Sequence, residues 1–320
     1  MSMNVPPPDP SSAAARVEIA AGEAVTDLVG EAHPLAAPLD NRAERRQARR
    51  ERLRLLVRRP SFVAGSLILL FWIVCAVLGK RITPYDPIQD FGPPRAFPSS
   101  EHWMGTDNIG RDVLSRVMAG SRDVLIAAPI AAIIGVAAGT LLGLVMGYYR
   151  GWVDEVIGRV VEALLSIPVI LVAVLILAAL GSSRLVVVLT VAVLFTPIVT
   201  RTIRAAVLGE AQLDYVTSAR LRGESGLFVM TREILPNLSG TIVVELTVRI
   251  GYAVFTIATL SFLGVGIQRP SPDWGLQIAE TFRLIQAGQW WPTLFPGLAI
   301  ASLVIATNLV ADSIEAVVAT

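Results

Sequence analysis

The run VLIAAPIAAIIGVAAGTLLGLVMG, residues 124–147, contains 24 consecutive residues without an ionisable side chain. Crossing the hydrocarbon core of a bilayer takes about 20 apolar residues in a helix. Hydrophobic periodicity alone does not separate a buried core helix from a membrane span, but length and the scarcity of charge do. This run therefore predicts a transmembrane helix.

Five further apolar runs have the same character. They cover residues 62–79, 160–180, 185–200, 241–267 and 293–319. The run at 185–200 is the shortest, but Arg184 and Arg201 at its ends can extend their charged groups toward water. The whole chain is 53% hydrophobic and only 17% charged, against about 25% charged in a typical soluble domain. We therefore predict an all-α polytopic membrane protein with six transmembrane helices, in contact with the lipid bilayer.

The distribution of basic residues predicts the orientation of these helices. Loops on the cytoplasmic side of a membrane carry an excess of Lys and Arg. With the N-terminus inside, 17 of the 27 Lys and Arg residues fall on the cytoplasmic side, nine of them within residues 41–60, and nine fall outside. Both termini are therefore expected in the cytoplasm. A net charge of +1 gives no reason to expect binding to nucleic acid.

The same pattern divides the chain into regions. Residues 1–60 are expected to form a disordered, basic cytoplasmic tail, because the first 41 show no helical or strand periodicity. Residues 61–320 form the membrane domain, with an outer segment at 80–122 and a cytoplasmic loop at 201–240. The outer segment contains PYDP, GPP and GTDNIGRD, which predict turns and short helices. It could dock a partner or cover the pore mouth, and we favour the cover.

Within the cytoplasmic loop, the stretch DYVTSARLRGESGLFVMTREILPN (residues 214–237, hereafter the elbow) predicts two short helices joined by a bend. The first covers residues 215–222, and Gly223 follows where a helix end favours a left-handed backbone. Ser225 can cap the second helix, residues 226–235, and Pro236 is expected to stop it.

The apolar residues of the elbow predict a contact surface. Leu227, Met230 and Ile234 should share one helix face, while Leu221 and Phe228 project near the bend. Such a surface suits a groove on another protein. The alternative is a helical hairpin that lies on the lipid surface.

Four positions of the elbow resemble the EAA loop of bacterial ABC importer permeases: Ala219, Gly223, Leu235 and Pro236. In that family the loop is the coupling helix that docks on the ATPase subunit. Thr217 stands where the family usually has Glu, and Ser218 replaces the first Ala of the motif. Tyr215, Val216, Arg220 and the sequence ILPN resemble, more specifically, the C-type permease of dipeptide and oligopeptide importers.

Further motifs extend this resemblance over most of residues 55–318. They are GTDNIGRDVLSR at 105–116, GWVDEVIGRVVEALLSIP at 151–168, SFLGVGIQRPSPDWG at 261–275 and FPGLAI at 295–300. The resemblance implies the type I ABC importer permease fold in a bacterial cell membrane and a peptide substrate. It also implies three kinds of partner: a second, homologous permease, two ATP-binding subunits and an external solute-binding protein.

The resemblance also implies which residues couple this chain to the ATPase. They are Tyr215, Ala219, Arg220, Leu221, Arg222, Gly223, Leu227, Phe228, Leu235 and Pro236. No ATP site is expected on the chain itself, because a P-loop needs Gly-Lys-Ser/Thr and the only lysine, Lys80, is followed by Arg81. ATP and Mg²⁺ are therefore expected on the partner subunits, and this subunit is expected to be non-catalytic.

Glu245 and Arg249 lie four residues apart within the fifth apolar run, in the order that favours an intrahelical ion pair. Charges inside a membrane often mark a transport pathway, but this pair could also simply neutralise itself. Both interpretations stay open at this point.

Other polar and aromatic residues carry weaker signals. The only histidines, His33 and His102, are far apart in sequence, so no histidine metal site is expected. His102 lies near serines in the outer segment but without a nucleophile elbow, so catalysis is not expected. Trp274, Trp290 and Trp291 are interpreted as an aromatic belt at the lipid headgroups.

Two alternatives to a peptide importer remain from the sequence. The first is an ABC importer permease for nickel, haem or another solute, because the quoted motifs do not line a ligand site. The second is an ATP-independent secondary transporter, a class that often contains inverted repeats. We find no convincing internal repeat in this chain.

Overall fold

The computed structural model describes residues 56–90 and 92–318. Most of the tail predicted for residues 1–60 therefore lies outside the described residues. Within them the secondary structure is helical, and the only β-type pairing is a single bridge between Thr106 and Asp112. This confirms the predicted all-α class.

The helices follow the chain in this order. The first half contains α1 (Pro60–Leu78), α2 (Val113–Tyr149), α3 (Gly151–Ser166), α4 (Val169–Leu180) and α5 (Arg184–Glu210). The second half contains α6 (Asp214–Leu221), α7 (Gly226–Phe228), α8 (Leu235–Asn237), α9 (Ser239–Phe262), α10 (Trp274–Thr281) and α11 (Trp291–Val318). A π-helical turn, Val229–Ile234, joins α7 to α8, and 3₁₀ turns occupy Gly79–Arg81 and Phe282–Ala287.

Five of these helices are long and apolar enough to cross a membrane: α1, α2, α5, α9 and α11. The pair α3 and α4 makes a sixth crossing if it is counted as one span. The polytopic architecture predicted from the apolar runs is thereby confirmed.

The third predicted span, residues 160–180, is not one continuous helix. It breaks between α3 and α4, whose axes differ by 92°. Pro168 cannot donate a backbone hydrogen bond and disfavours a helical conformation in the residue before it, and Ile167 is accordingly extended, with φ −94° and ψ 134°. The 12 residues of α4 give a length of about 18 Å, well short of the roughly 30 Å hydrocarbon core.

Two helices are longer than the apolar runs that predicted them. The outer segment ends earlier than residue 122, because α2 begins at Val113, where the Asp112 carboxylate accepts a hydrogen bond from the Ser115 amide at 2.8 Å. At the other end, α5 continues through the polar residues to Glu210. The charged residues at these two helix ends can be helical because residues elsewhere in the fold form contacts with their side chains.

The core is organised around close packing of α2 against α5. Glycines recur at every fourth position of α2 and face α5: Gly135, Gly139, Gly143 and Gly147. A Cβ atom placed on Gly139 would lie 2.6 Å from the Val199 Cβ, and one on Gly147 would lie 2.7 Å from the Val207 Cβ. Small residues at such positions let two membrane helices approach closely.

The interpretation of the tryptophans as an aromatic belt is wrong for two of the three. Trp274 and Trp291 are fully buried, and their indole N–H groups donate to the carbonyls of Val117 (2.8 Å) and Thr106 (3.1 Å). Both belong to the core that joins the outer segment to the membrane helices. Trp290 alone is half exposed.

Candidate functional site

The first half of the elbow has the predicted geometry. Helix α6 ends at Leu221, and Gly223 follows with φ +78°, the left-handed conformation that favours glycine. The Ser225 hydroxyl accepts a hydrogen bond from the Phe228 amide at 3.3 Å and caps the next helix. The chain therefore reverses direction at a defined glycine.

The second half differs from the prediction, because Pro236 does not end the helix. The chain continues through the π-helical turn into α8, where Pro236 occupies one of the first two positions. Helical hydrogen bonds continue on both sides of Pro236, since the Leu235 amide donates to the Met230 carbonyl and the Leu238 amide to the Ile234 carbonyl. The wider turn before it shifts the hydrogen-bond register and accommodates the ring.

The buried face of the elbow packs against the helix bundle. Val216, Ala219, Val229, Met230 and Ile234 are all buried, in one cluster with apolar residues of α2 and α5. The predicted shared face with Leu227 is wrong: that side chain is 67% exposed. The π-helical turn rotates Met230 and Ile234 inward and leaves the start of α7 outside.

The bend presents an apolar knob, formed by Leu221, Leu227 and Phe228. Their exposed fractions are 84%, 67% and 39%. Arg222 beside them is exposed and makes only loose contacts, 3.8 Å from Glu224 and 3.7 Å from Glu233. Exposed apolar groups of this size, on a rigidly anchored element, are typical of a protein contact surface.

Other elbow residues hold the bend in place. The Tyr215 hydroxyl donates to the Glu210 carboxylate at 2.5 Å and accepts from the Asn237 amide at 3.0 Å, which ties both ends of the elbow together. Burial and the neighbouring Glu210 raise the pKa of Tyr215 to about 12, so this hydroxyl remains a donor at neutral pH. Arg220 lies 4.7 Å from the centre of the Tyr148 ring at the end of α2.

The ten residues predicted for coupling thus fall into two groups. Exposed residues available to a partner are Arg220, Leu221, Arg222, Gly223, Leu227, Phe228 and Pro236. Residues turned toward the bundle or half buried are Tyr215, Ala219 and Leu235. The sequence analysis grouped them together because the motif does not distinguish residues that hold the elbow against the bundle from residues that the elbow exposes to a partner.

Glu245 and Arg249 form the predicted intrahelical pair in α9. The guanidinium Nε lies 2.9 Å from the carboxylate, and each side chain is 12% exposed. The guanidinium also faces two rings, at 5.9 Å from the centre of Phe195 and 5.4 Å from that of Tyr252. The charges therefore lie between α9 and α5, shielded by aromatic groups.

The opposite end of the bundle contains a buried ion cluster that the sequence did not predict. Glu280 of α10 accepts from Arg111 at 2.6 Å and from Arg269 at 2.5 Å, and it lies 3.5 Å from Arg116. Asp107 accepts from Arg111 at 2.7 Å. Asp107 and Arg111 belong to the outer segment and Glu280 belongs to α10. The cluster therefore fixes the outer segment to α10.

His102 has a structural role in the same region. Its Nδ1 lies 2.9 Å from the Asp112 carboxylate, both groups are buried, and the His102 amide donates to the Ser99 hydroxyl at 3.1 Å. The pair joins the outer segment to the first turn of α2. No cluster of His, Cys, Asp or Glu suited to a metal ion occurs in the described part of the chain.

The described residues form a polytopic helical bundle with an anchored apolar elbow at one end, an architecture that suits a membrane subunit that works with a partner protein. Residues 139–320 match the family described as "Binding-protein-dependent transport system inner membrane component". The chain belongs to this family.

Relatives of known function cover most of the chain. The chain is 39% identical over 268 residues to the glutathione transport system permease protein GsiD of Pectobacterium atrosepticum, covering 83% of this chain and 89% of the relative. It is 38% identical over 255 residues to GsiD of Escherichia coli O6:K15:H31, and 40% identical over 255 residues to GsiD of Shigella flexneri serotype 5b. Each of these two alignments covers 79% of this chain and 84% of the relative.

Family membership defines the class of transporter. The chain is a multi-pass inner-membrane permease subunit of an ABC importer, and ATP hydrolysis belongs to separate subunits. It works with a second permease, ATPase subunits and a solute-binding protein. The alternative of an ATP-independent secondary transporter is therefore wrong.

Proposed function

We propose that this chain forms half of the translocation pathway for short peptides, including the tripeptide glutathione. The observation that supports this cargo is the high identity to permeases named for glutathione transport, over about four fifths of the chain. In this proposal ATP and Mg²⁺ bind the partner ATPase subunits, and the elbow receives the movement that hydrolysis drives.

Uptake by the reconstituted transporter tests the cargo. Proteoliposomes would contain this chain, its partner permease and the ATPase subunits, with the solute-binding protein added on the outer side. We expect ATP-dependent accumulation of glutathione or a dipeptide, and none of nickel or haem. Uptake of nickel or haem without peptide uptake would contradict the proposed cargo and favour the alternative importer class.

We further propose that the elbow and both termini lie in the cytoplasm, as the arginine distribution favours. The test is labelling with an impermeant thiol reagent in a Cys75→Ala background. A cysteine at Ser100, exposed in the outer segment, should react in intact cells, whereas one at the exposed Ser218 should react only after the cells are opened. The reverse pattern would overturn this orientation.

The apolar knob is the proposed contact with the ATPase. Buried apolar anchors usually dominate protein interfaces, while exposed charges at the rim contribute little. We therefore expect Phe228→Ala to weaken association with the ATPase subunits by about 1–2 kcal/mol, and Arg222→Ala to weaken it less. Co-purification in detergent measures both. Loss with Arg222→Ala but retention with Phe228→Ala would favour an electrostatic contact, and retention with both would favour a lipid-facing elbow.

Gly223 is the proposed pivot of the coupling movement. A Cβ atom at this position would meet no atom within 4 Å, so only the positive φ resists substitution. Gly223→Val should strain the bend by roughly 1–2 kcal/mol or more and reduce both transport and substrate-stimulated ATP hydrolysis. Gly223→Asn is the matched control, because asparagine tolerates the left-handed conformation, and it should retain activity. Equal activity of both variants would show that the conformation of Gly223 is not required.

Glu245 and Arg249 are proposed to border the pathway. Ionised residues within membrane spans generally face protein or water rather than lipid, and Tyr252, one turn beyond Arg249, is 56% exposed. The other interpretation, an ion pair that only neutralises itself, predicts full transport when the two residues are exchanged. We expect the double exchange Glu245→Arg with Arg249→Glu to reduce transport while the chain still assembles.

A further inference from the structure

A polar cleft opens beside the elbow end of the bundle, between α3, α5 and the last turns of α2. Its volume is about 660 Å³. A second hollow of about 400 Å³, bordered by Leu165, Ile198 and Thr202, shares Arg201 with it. Small-molecule sites usually measure about 300–1,000 Å³, so the cleft is large enough for a small solute.

Six charged residues line the cleft, three acidic and three basic: Asp154, Glu155, Arg159, Glu162, Arg201 and Arg204. Four of them form internal pairs. Arg204 donates two hydrogen bonds to the Asp154 carboxylate, at 2.5 and 2.6 Å, and Arg159 donates to Glu155 at 3.2 Å.

The other two charges, Glu162 and Arg201, lie within ion-pair distance of no opposite charge among the residues that the structure describes, although the charge of Glu162 also acts on Arg204. They have opposite signs, lie on different helices and do not pair with each other. A guanidinium group can bind a carboxylate through two parallel hydrogen bonds, and a carboxylate can accept from an ammonium group. The walls therefore offer one site for each end of a zwitterion.

We propose that this cleft binds a small zwitterionic solute on the elbow side of the membrane, with Arg201 taking the carboxylate and Glu162 the ammonium group. A free peptide has both groups, and the proposal rests on the proposed function for this choice of ligand and for the cytoplasmic position of the elbow side. The concave, charged lining fits a solute better than a second permease, because the centres of protein interfaces are depleted of charged residues.

A binding step of this kind would lie at the exit of the pathway. Transport requires that a solute leave as well as enter, so a site along the way must bind weakly. The pair of Arg204 with Asp154 joins α3 to α5 and so fixes the two walls relative to each other.

Protection of an introduced cysteine tests the site in the assembled transporter in nanodiscs, without the solute-binding protein. Gly158 lines the cleft, and a Cβ there would meet only the Met146 methyl group, at 3.7 Å. In a Cys75→Ala background, triglycine should slow alkylation of Gly158→Cys, whereas N-acetyl-triglycine amide, which lacks both charges, should not.

Charge variants then locate the contacts. Adding Arg201→Ala or Glu162→Gln should weaken the protection by triglycine roughly tenfold or more, the effect of losing one charge-assisted hydrogen-bonded contact. Arg232→Gln is the matched control, since Arg232 is an exposed arginine outside the cleft lining, and it should leave protection unchanged.

Three results would overturn the inference. The first is that the blocked peptide protects the cysteine as well as triglycine does. The second is that protection is undiminished in both charge variants. The third is that the cysteine reacts in the isolated chain but not in the assembled transporter, which would mean that the second permease fills the cleft. Peptide uptake with the solute-binding protein is measured separately. Uptake without protection would reject only the cleft, whereas protection without uptake would reject only the proposed cargo.

Discussion

Replacing Glu280 by glutamine should destabilise the outer end of the protein more than any other single charge removal. The Glu280 side chain is 3% exposed and contacts three arginines, of which Arg116 is 2% exposed and Arg111 10%. Glutamine keeps the shape but leaves two buried guanidinium groups with Asp107 as their only carboxylate in the cluster. Breaking a buried ion pair in this way typically costs about 3–5 kcal/mol.

Thermal unfolding of the purified transporter in detergent measures this effect, together with proteolysis of the outer segment. Glu155→Gln is the matched control, because Glu155 also pairs with an arginine, Arg159, but both side chains are mostly exposed. Exposed pairs contribute little, so this variant should unfold at the temperature of the unmodified protein. Equal unfolding temperatures for the Glu280 and Glu155 variants would show that the ion cluster does not stabilise the fold.

The positions of the spans could be predicted because an apolar run of membrane length has few other structures open to it. The first run, residues 62–79, differs from α1 (Pro60–Leu78) by two residues at one end and one at the other. The helix ends were less predictable. Helix α2 starts 11 residues before its apolar run, since Asp112 caps it and the cluster around Glu280 receives the charge of Arg116.

The broken third span shows where local sequence is insufficient. Residues 160–180 read as one apolar run, and Pro168 permits a bend without specifying its angle. Proline within α2, α5 and α11 does not divide those helices. The 92° bend therefore depends on the surroundings, including the ion pair of Asp154 with Arg204, 50 positions apart in the chain.

The elbow was predicted in outline, because Gly223 and Ser225 act on their immediate neighbours. The π-helical turn was not predicted. The spacing of apolar residues does not distinguish it from an α-helix unless the residues that pack against Met230 and Ile234 are known. The ion cluster was missed for a related reason. Its members Arg111 and Glu280 are 169 positions apart, and only the fold brings them together.

The glycine repeat of α2 leads to the second large expected effect. A Cβ atom on Gly143 would lie 2.8 Å from the Ile203 Cβ and 2.9 Å from the backbone nitrogen of Arg204. Neither atom can move without displacing α5. A leucine at this position cannot relieve the clash by changing its rotamer, because its Cβ atom already overlaps α5.

We therefore expect Gly143→Leu to prevent α2 from packing against α5, at a cost above the roughly 1–3 kcal/mol typical of extra methylene groups in a core. Gly209→Leu is the matched control: Gly209 lies in helix α5, and a Cβ there would meet no atom within 4 Å. Since leucine favours helix over glycine by nearly 1 kcal/mol, this variant should be neutral or more stable. Size-exclusion chromatography of both variants in detergent, followed by thermal unfolding, measures the difference. A monodisperse Gly143→Leu protein with unchanged unfolding temperature would show that the close approach of α2 and α5 does not hold the bundle together.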